Sequence, residues 1–367
     1  MPNTFLTPQV VANEALMQLE ANLVMAGLVY RDFDSDFDGA VGDTILVKKP
    51  ATFKANDFNG KIEVQDIKEG SVPVTLDRLV DVSFKFGSKE RALDIKDLSV
   101  QAIQPAMIAI ADRIDKDLLN VAALSKYSVS SEAKPTKLTD FGKLANILDN
   151  NKVPTAMRNL VLCPDHRYKY LDTDLSNASF SGSTAALRNA NLGVIYNFET
   201  YMDQNNLQSN AAKSGTATSF KVEGTMDATT VKLTNVEPAT GTLEVGDVFV
   251  VDGHRYTVKT KATAAGGTVE SLEIEEKLHK TISDAEKAYI GNAKHSMAFH
   301  KNAITLVSRT LPIPQASQTS AIATNGQGLG VRVVFGYDQT TKTEICSIDI
   351  LYGIKLLEPK MLVNLVG

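Results

Sequence analysis

Ala106-Met107-Ile108-Ala109-Ile110-Ala111-Asp112-Arg113-Ile114-Asp115-Lys116-Asp117-Leu118-Leu119 lies at the centre of the longest helical pattern in the chain. Ile103, Met107, Ile110, Ile114, Leu118 and Ala122 recur every three or four residues, which puts them on one stripe of a helix. The pattern runs from Asp94 to Leu124, with Asp94 or Asp97 as the candidate cap. Pro105 falls inside it and brings no amide donor, so a kink or a separate first segment is expected there. A long helix with one apolar stripe must be covered by a sheet or by other helices. Alone it indicates an α+β protein and nothing finer.

On the N-terminal side the texture is that of strands. Val72 to Phe86 alternates, with Val74, Leu76 and Val80 to Phe84 among its apolar positions, and Thr44 to Val47 is short and β-branched. Between them, Pro50 to Val72 is polar and charge-rich, with glycines at Gly60 and Gly70. Its charges change sign along the run: Lys54, Asp57, Lys61, Glu63, Asp66, Lys68, Glu69. Two strands around roughly 20 polar residues read as a long projecting hairpin, and connections of that length are functional or disordered. Exposed ion pairs are worth only about 0–1 kcal/mol each. Such a run therefore suits a contact that sets register more than it adds affinity.

Further back, Thr7 and Pro8 signal a helix start, and Val11, Ala15, Leu19 and Leu23 mark one face before Gly27 ends the pattern. A helix at the chain's edge needs a surface to lie on, either its own subunit or a neighbour. Asp34, Asp36, Asp38 and Gly39 match the opening of a calcium loop. The closing ligand would fall on Ile45, which cannot coordinate, and a strand replaces the second helix; a solvated acidic turn is the better reading.

On the C-terminal side, Thr139 to Asn150 reads as a capped helix, Leu160 to Cys163 as a buried strand, Asp165 to Leu171 and Thr184 to Ala190 as helices, and Phe198 to Met202 as a strand. From Asn205 to Thr230 the composition shifts to Ser, Thr, Asn, Ala and Gly. Short strands follow at Val231 to Leu233, Val248 to Val251, Tyr256 to Val258 and Val269 to Ile274, separated by turns such as Asp252-Gly253 and Gly266-Gly267. They read as a small inserted β-barrel or sandwich. Val331 to Phe335 and Ile345 to Leu357 then form a hairpin around Asp338 to Thr341.

The 367 residues are 43% hydrophobic and 22% charged, the composition of a globular chain with a substantial core. A net charge of -5 argues against a dedicated nucleic-acid binder. Cys163 and Cys346 are the only cysteines, too few for a disulfide framework, which fits a reducing compartment. Met1 to Pro8 lacks the features of a signal peptide, and no run approaches the ~18 apolar residues of a membrane span. No catalytic, metal or cofactor site is expected. Cys163 and His166 have a Cys-x-x-His spacing without a second pair, His295 and His300 form no zinc motif, and Gly326 to Gly330 precedes a strand without the Lys-Ser/Thr of a phosphate loop.

Several stretches resemble tailed-phage coat proteins. They are Asn13 to Tyr30 followed by Arg31-Asp32-Phe33 and Gly42-Asp43-Thr44; Ala106 to Leu119; Tyr201 to Asn205; Ala298 to Ala303; and Leu351-Tyr352-Gly353-Ile354-Lys355. Together, in order along nearly the whole chain, they resemble the coat-protein family typified by phage P-twenty-two, with the Hong-Kong-97-type capsid fold. The inserted β-texture agrees in position only.

The resemblance implies an α+β subunit with an N-terminal arm at 1–40. A peripheral domain would span 41–134 and 331–367, holding a spine helix at 94–124 and an extended loop at 50–72. An axial domain would span 135–212 and 294–330, and an inserted all-β domain 213–293. It implies a major capsid protein, not an enzyme. Such a protein would be assembled in the host bacterial cytoplasm into pentamers and hexamers of an icosahedral virion, with a scaffolding protein and a portal as partners. Contact with packaged double-stranded DNA would be weak and non-specific, and no membrane would be involved. Inter-subunit contacts would come from the loop charges above and from Val11, Leu16, Leu19 and Leu23 of the arm. An encapsulin-like compartment shell and another virion structural protein are the alternatives. Some shells of this fold cross-link a loop lysine to an asparagine, here Lys54 or Lys61 with a residue near Asn364, though no motif requires it.

Overall fold

The structure is a computed structural model that describes residues 8–31, 44–49, 70–87, 102–130, 138–172, 192–206, 208–209, 215–251, 254–290, 293–314, 319–324, 329–338 and 343–366. The chain divides into two compact units, Met1–Asp115 with Ile304–Leu357, and Lys116–Ala303 with Glu358–Gly367.

The first unit opens with helix α1 (Pro8–Asn22). Strands β1 (Thr44–Lys49) and β2 (Gly70–Thr75) pair antiparallel over their whole length, from Thr44 opposite Thr75 to Lys49 opposite Gly70. Thr44 to Val47 is thus one leg of a ribbon, but Val72 to Phe86, read from the sequence as a single strand, is split: its first part is the other leg and the residues from Arg78 on form a separate strand of another sheet. Then come β3 (Arg78–Gly87) and helix α2 (Gln104–Leu119), which runs into a 3-10 turn at Asn120–Leu124. All six residues of the apolar stripe, Ile103 through Ala122, are buried. Pro105 stands in the first turn of α2, where a missing amide donor is tolerated. The expected stretch 94–101 lies outside the described residues.

Four more strands complete this unit: β18 (Ile304–Arg309), β19 (Thr319–Thr324), β20 (Gly330–Asp338) and β21 (Thr343–Leu356). Their sheet has the order β18-β21-β20-β19, with β3 also on β21. The β20–β21 hairpin closes at Asp338 opposite Thr343, as the sequence indicates. At fourteen residues, β21 is long enough to take β20 and β3 along Thr343 to Tyr352 and β18 along Leu351 to Leu356. The strands at 304–309 and 319–324 therefore lie in the sheet of the first unit, whereas the sequence reading grouped 294–330 with 135–212. Composition does not carry pairing partners, and β18 is as apolar as either sheet would need.

The second unit contains β4 (Tyr127–Ser130), α3 (Thr139–Asn150), β5 (Arg158–Leu162), α4 (Pro164–Leu171), β6 (Val194–Ile195), β7 (Phe198–Met202) and β8 (Gln208–Ser209). There follow β9 (Ser219–Gly224), β10 (Thr230–Glu237), β11 (Thr242–Leu243), β12 (Val248–Val251), β13 (His254–Thr257), β14 (Ala262–Thr263), β15 (Val269–Glu273), β16 (Ile282–Ile290) and β17 (Ala293–His300). The last strand, β22 (Leu362–Val366), lies between β17 and β4, antiparallel to one and parallel to the other. The chain after Leu357 thus leaves the first unit's sheet, where the reading of 331–367 as one piece kept it.

Strand order along the main sheet is β15-β10-β9-β16-β12-β13-β4-β22-β17-β5-β7-β6. One core gathers Phe141, Leu144 and Leu148 of α3 and Tyr170 of α4 against Leu160, Leu162, Phe198, Ala298, Val363 and Leu365. Every residue of β5 is buried, which explains its unbroken apolar run Leu160-Val161-Leu162. A second core is drawn wholly from residues between Ala217 and Ile282, with Phe220, Phe249 and Tyr256 at its centre. The helix expected at Thr184 to Ala190 and the turn at Asp252-Gly253 lie outside the described residues, whereas Gly266 and Gly267 both take positive φ, as their turn requires.

Candidate functional site

The expected contact surfaces are the arm and the loop. The loop charges Lys54, Asp57, Lys61, Glu63, Asp66, Lys68 and Glu69 lie outside the described residues, as do Asp34, Asp36 and Asp38. The root of the loop is described. Val47 and Val74 of the ribbon are buried with Leu76, Val307 and Leu357, and Tyr30, Val72 and Leu351 pack on this cluster. Val47 and Val72 are directly opposite in the register, so one face of the ribbon is apolar and seated on the body. Gly353 of β21 makes room for this, because a Cβ there would stand 2.3 Å from the Thr75 carbonyl oxygen.

Helix α1 lies on β19 and β20 of its own unit. Val11, Ala12, Ala15, Leu16 and Leu19 are buried there, and Leu23 is half-buried. Burial of the stripe on the chain's own sheet satisfies the helix's need for a partner surface. The large apolar side chains that α1 leaves exposed are Val10, at 54%, and Met17, at 63%. Three polar contacts fix the segment along its length. Gln9 Nε2 donates to the Ile322 carbonyl at 3.1 Å. The backbone N–H groups of Val24 and Met25 donate to Asp115 at 2.8 and 3.1 Å. Tyr30 bridges to β18, donating to Ile304 O and accepting from Leu306 N. Asp115 was not singled out in the sequence; its one signal is a carboxylate on the edge of the buried stripe, next to Ile114.

The residues with chemical potential are buried, all in the second unit except Cys346 on β21 of the first. Cys163 caps α4, its Sγ accepting from the His166 backbone N–H at 3.4 Å. His166 Nδ1 and Ser296 Oγ are 2.7 Å apart, and that hydroxyl also accepts from Cys163 N at 2.9 Å. His166 and Ser296 are fully buried, so the pair ties α4 to β17 with no face open to a substrate. Burial pushes the Cys346 thiol up to about 12 and leaves it a poor nucleophile. Burial likewise raises the Tyr170 phenol, with Asp140 beside it adding to the effect. Asn364 is buried, its amide 2.7 Å from His295 Nδ1. Burial first, and the Arg255 cation second, push His295 down to about 4. His300 is lowered by burial and by Arg158. Among the described residues no group of three or more His, Cys, Asp or Glu is placed to hold a metal ion, and no helix is long and apolar enough to cross a membrane.

No protein-family model matches the chain, and no curated protein matches it in sequence. Solved structures do match. A structure from Mycobacterium phage Che8 aligns with a TM-score of 0.54 at 13% identity, covering 94% of this chain and 90% of that one. The capsid structure of Cyanophage P-SCSP1u aligns at 0.48 and 10% identity, covering 89% and 84%. The capsid of Ralstonia phage GP4 aligns at 0.48 and 10%, covering 93% and 87%. The Che8 likeness establishes the fold: it is α+β, of the Hong-Kong-97 type that the sequence resembles.

Proposed function

We propose that this chain is the major capsid protein of a tailed bacteriophage, a non-enzymatic subunit that assembles with copies of itself into pentamers and hexamers of an icosahedral head around double-stranded DNA. The observation that carries the reading is the near end-to-end likeness to the Mycobacterium phage Che8 structure. A shared fold does not by itself name a function. Here it is joined by five sequence stretches, in order, that resemble coat proteins, and by a ribbon whose root is buried and whose intervening residues are charged. In this reading the ribbon extends onto a neighbouring copy, Lys54 to Glu69 set its register, and the outer side of α1 with Val10 and Met17 meets another subunit. Residues 213–293 form an independently folding β-module. A scaffolding protein and a portal take part in assembly, which occurs in the host cytoplasm, and packaged DNA touches the inner surface weakly. Many weak, repeated contacts in a closed symmetric array then supply the strength of the shell.

Sedimentation of the purified chain, alone and with a scaffolding protein from its own phage, tests this. Particles of megadalton size support it; an exclusively monomeric chain under all assembly conditions overturns it.

A further inference from the structure

Two of the chain's five histidines, His254 and His279, meet where the strands of 215–290 join the rest of the second unit's sheet. That join is narrow. β13 meets β4 through a single register pair, His254 opposite Tyr127, with Arg255 N reaching the Lys126 carbonyl at 3.5 Å. Over it, the imidazoles of His254 and His279 stack with centroids 3.6 Å apart and planes 11° from parallel. Tyr127 packs edge-on against His254 at 5.2 Å. The Tyr256 hydroxyl is 2.5 Å from His279 Nδ1 and also accepts the His279 backbone N–H. A phenol oxygen that already accepts from that N–H has its own proton to donate, which matches an Nδ1 without a proton. The stack is half-buried, so protons reach it without unfolding.

We propose that the His254–His279 stack is an acid-sensitive latch: it holds the 215–290 strands to β4 while both rings are uncharged, and it parts when both take a proton. Two cations stacked at this distance repel, and a proton on His279 Nδ1 also removes the acceptor of the Tyr256 hydroxyl. Imidazole is the side chain that changes charge in the range where such a device is useful. The other titratable and charged groups around the pair are Tyr127 on β4, Arg255 and Tyr256 on β13, Glu276 beside His279, and His295 on β17. Arg255 opposes added positive charge at the join. Glu276 is occupied by Thr257, accepting from its N–H at 2.7 Å and its hydroxyl at 3.0 Å. The proposal stands on this chain's own geometry and is independent of the shell reading.

Hydrogen exchange on the full-length chain tests it. After correction for intrinsic rates, protection of 127–130 and 254–257 should fall from about pH 7.5 to about pH 5.5 by about tenfold or more beyond the fall at β5, which shares only the unit-wide effect of His295. His254→Phe keeps a ring in the stack and the Tyr256–His279 contact, and should cut that change to about threefold or less. No loss in the wild type, or an equal loss in His254→Phe, overturns the proposal. An NMR titration of the wild-type imidazoles is a second readout that needs no variant. Two coupled steps for the pair support the latch, and two independent single steps overturn it.

Discussion

Gly353 and Thr75 approach so closely that a Cβ on the glycine would stand 2.3 Å from the threonine's carbonyl oxygen. The contact joins the last third of the long strand β21 to the end of the β1–β2 ribbon, and the obstacle is backbone, which cannot swing aside. Gly353→Ala should therefore displace the ribbon root from Val307 and Leu357 and destabilise the unit by about 1–3 kcal/mol, the range for overpacking. Chemical denaturation would read the loss. The account further expects this variant to assemble poorly even where it folds, because the aim of the ribbon has changed.

Asp115 accepts the backbone N–H groups of Val24 and Met25 while itself buried. In Asp115→Ala both donors lose that acceptor, and an unmet buried donor costs about 1–3 kcal/mol. Local release of the 24–31 segment should accelerate tryptic cleavage after Arg31 by about tenfold or more, which corresponds to ~1.4 kcal/mol. An unchanged cleavage rate would show that the helix packing of Val11, Leu16 and Leu19 holds the segment without this carboxylate.

His295 links the second unit's stability to pH. Its folded value of about 4 lies below the ordinary imidazole value, so the folded state is the weaker proton binder. Above about pH 6.5 the ring is neutral folded or unfolded and there is no penalty. As pH falls towards 4, the unfolded chain takes up a proton that the folded chain refuses, and stability drops by about 3 kcal/mol in all. His295→Asn should flatten that part of the slope. Urea midpoints for both proteins at about pH 7 and about pH 4.5 check the sign and the size.

Shortening 50–69 to a tight turn between Lys49 and Gly70, which are already opposite one another in the register, should leave a folded subunit. The buried root Val47, Val74 and Leu76 is untouched by the deletion. The same variant should fail to close shells. Normal particles from it would remove the loop from the assembly account.

The elements that announced themselves in the sequence are those with strong periodicity. The stripe Ile103 to Ala122, the α3 helix, the first leg of the ribbon and the β20–β21 hairpin are all where spacing puts them, whereas the alternation of Val72 to Phe86 conceals a break between two strands of different sheets. Partnership was not legible. β18 and β22 are both short apolar strands near the C-terminal end, yet one joins β21 and the other slots between β17 and β4. An apolar run records that a strand is buried, not against which neighbour. The same limit applies to α1, whose stripe says it must be covered and whose cover turns out to be β19 and β20 of its own chain. Asp115 and the His254–His279 stack were invisible for a related reason: each acts through residues tens of positions away.

Self-association into a closed shell is visible in electron micrographs of the purified, assembled protein. Uniform icosahedral particles are expected, whose capsomers are rings of five and six copies of this chain, with a ribbon from each copy lying across its neighbour. Tubes, trimers or dispersed single subunits under every assembly condition would contradict it.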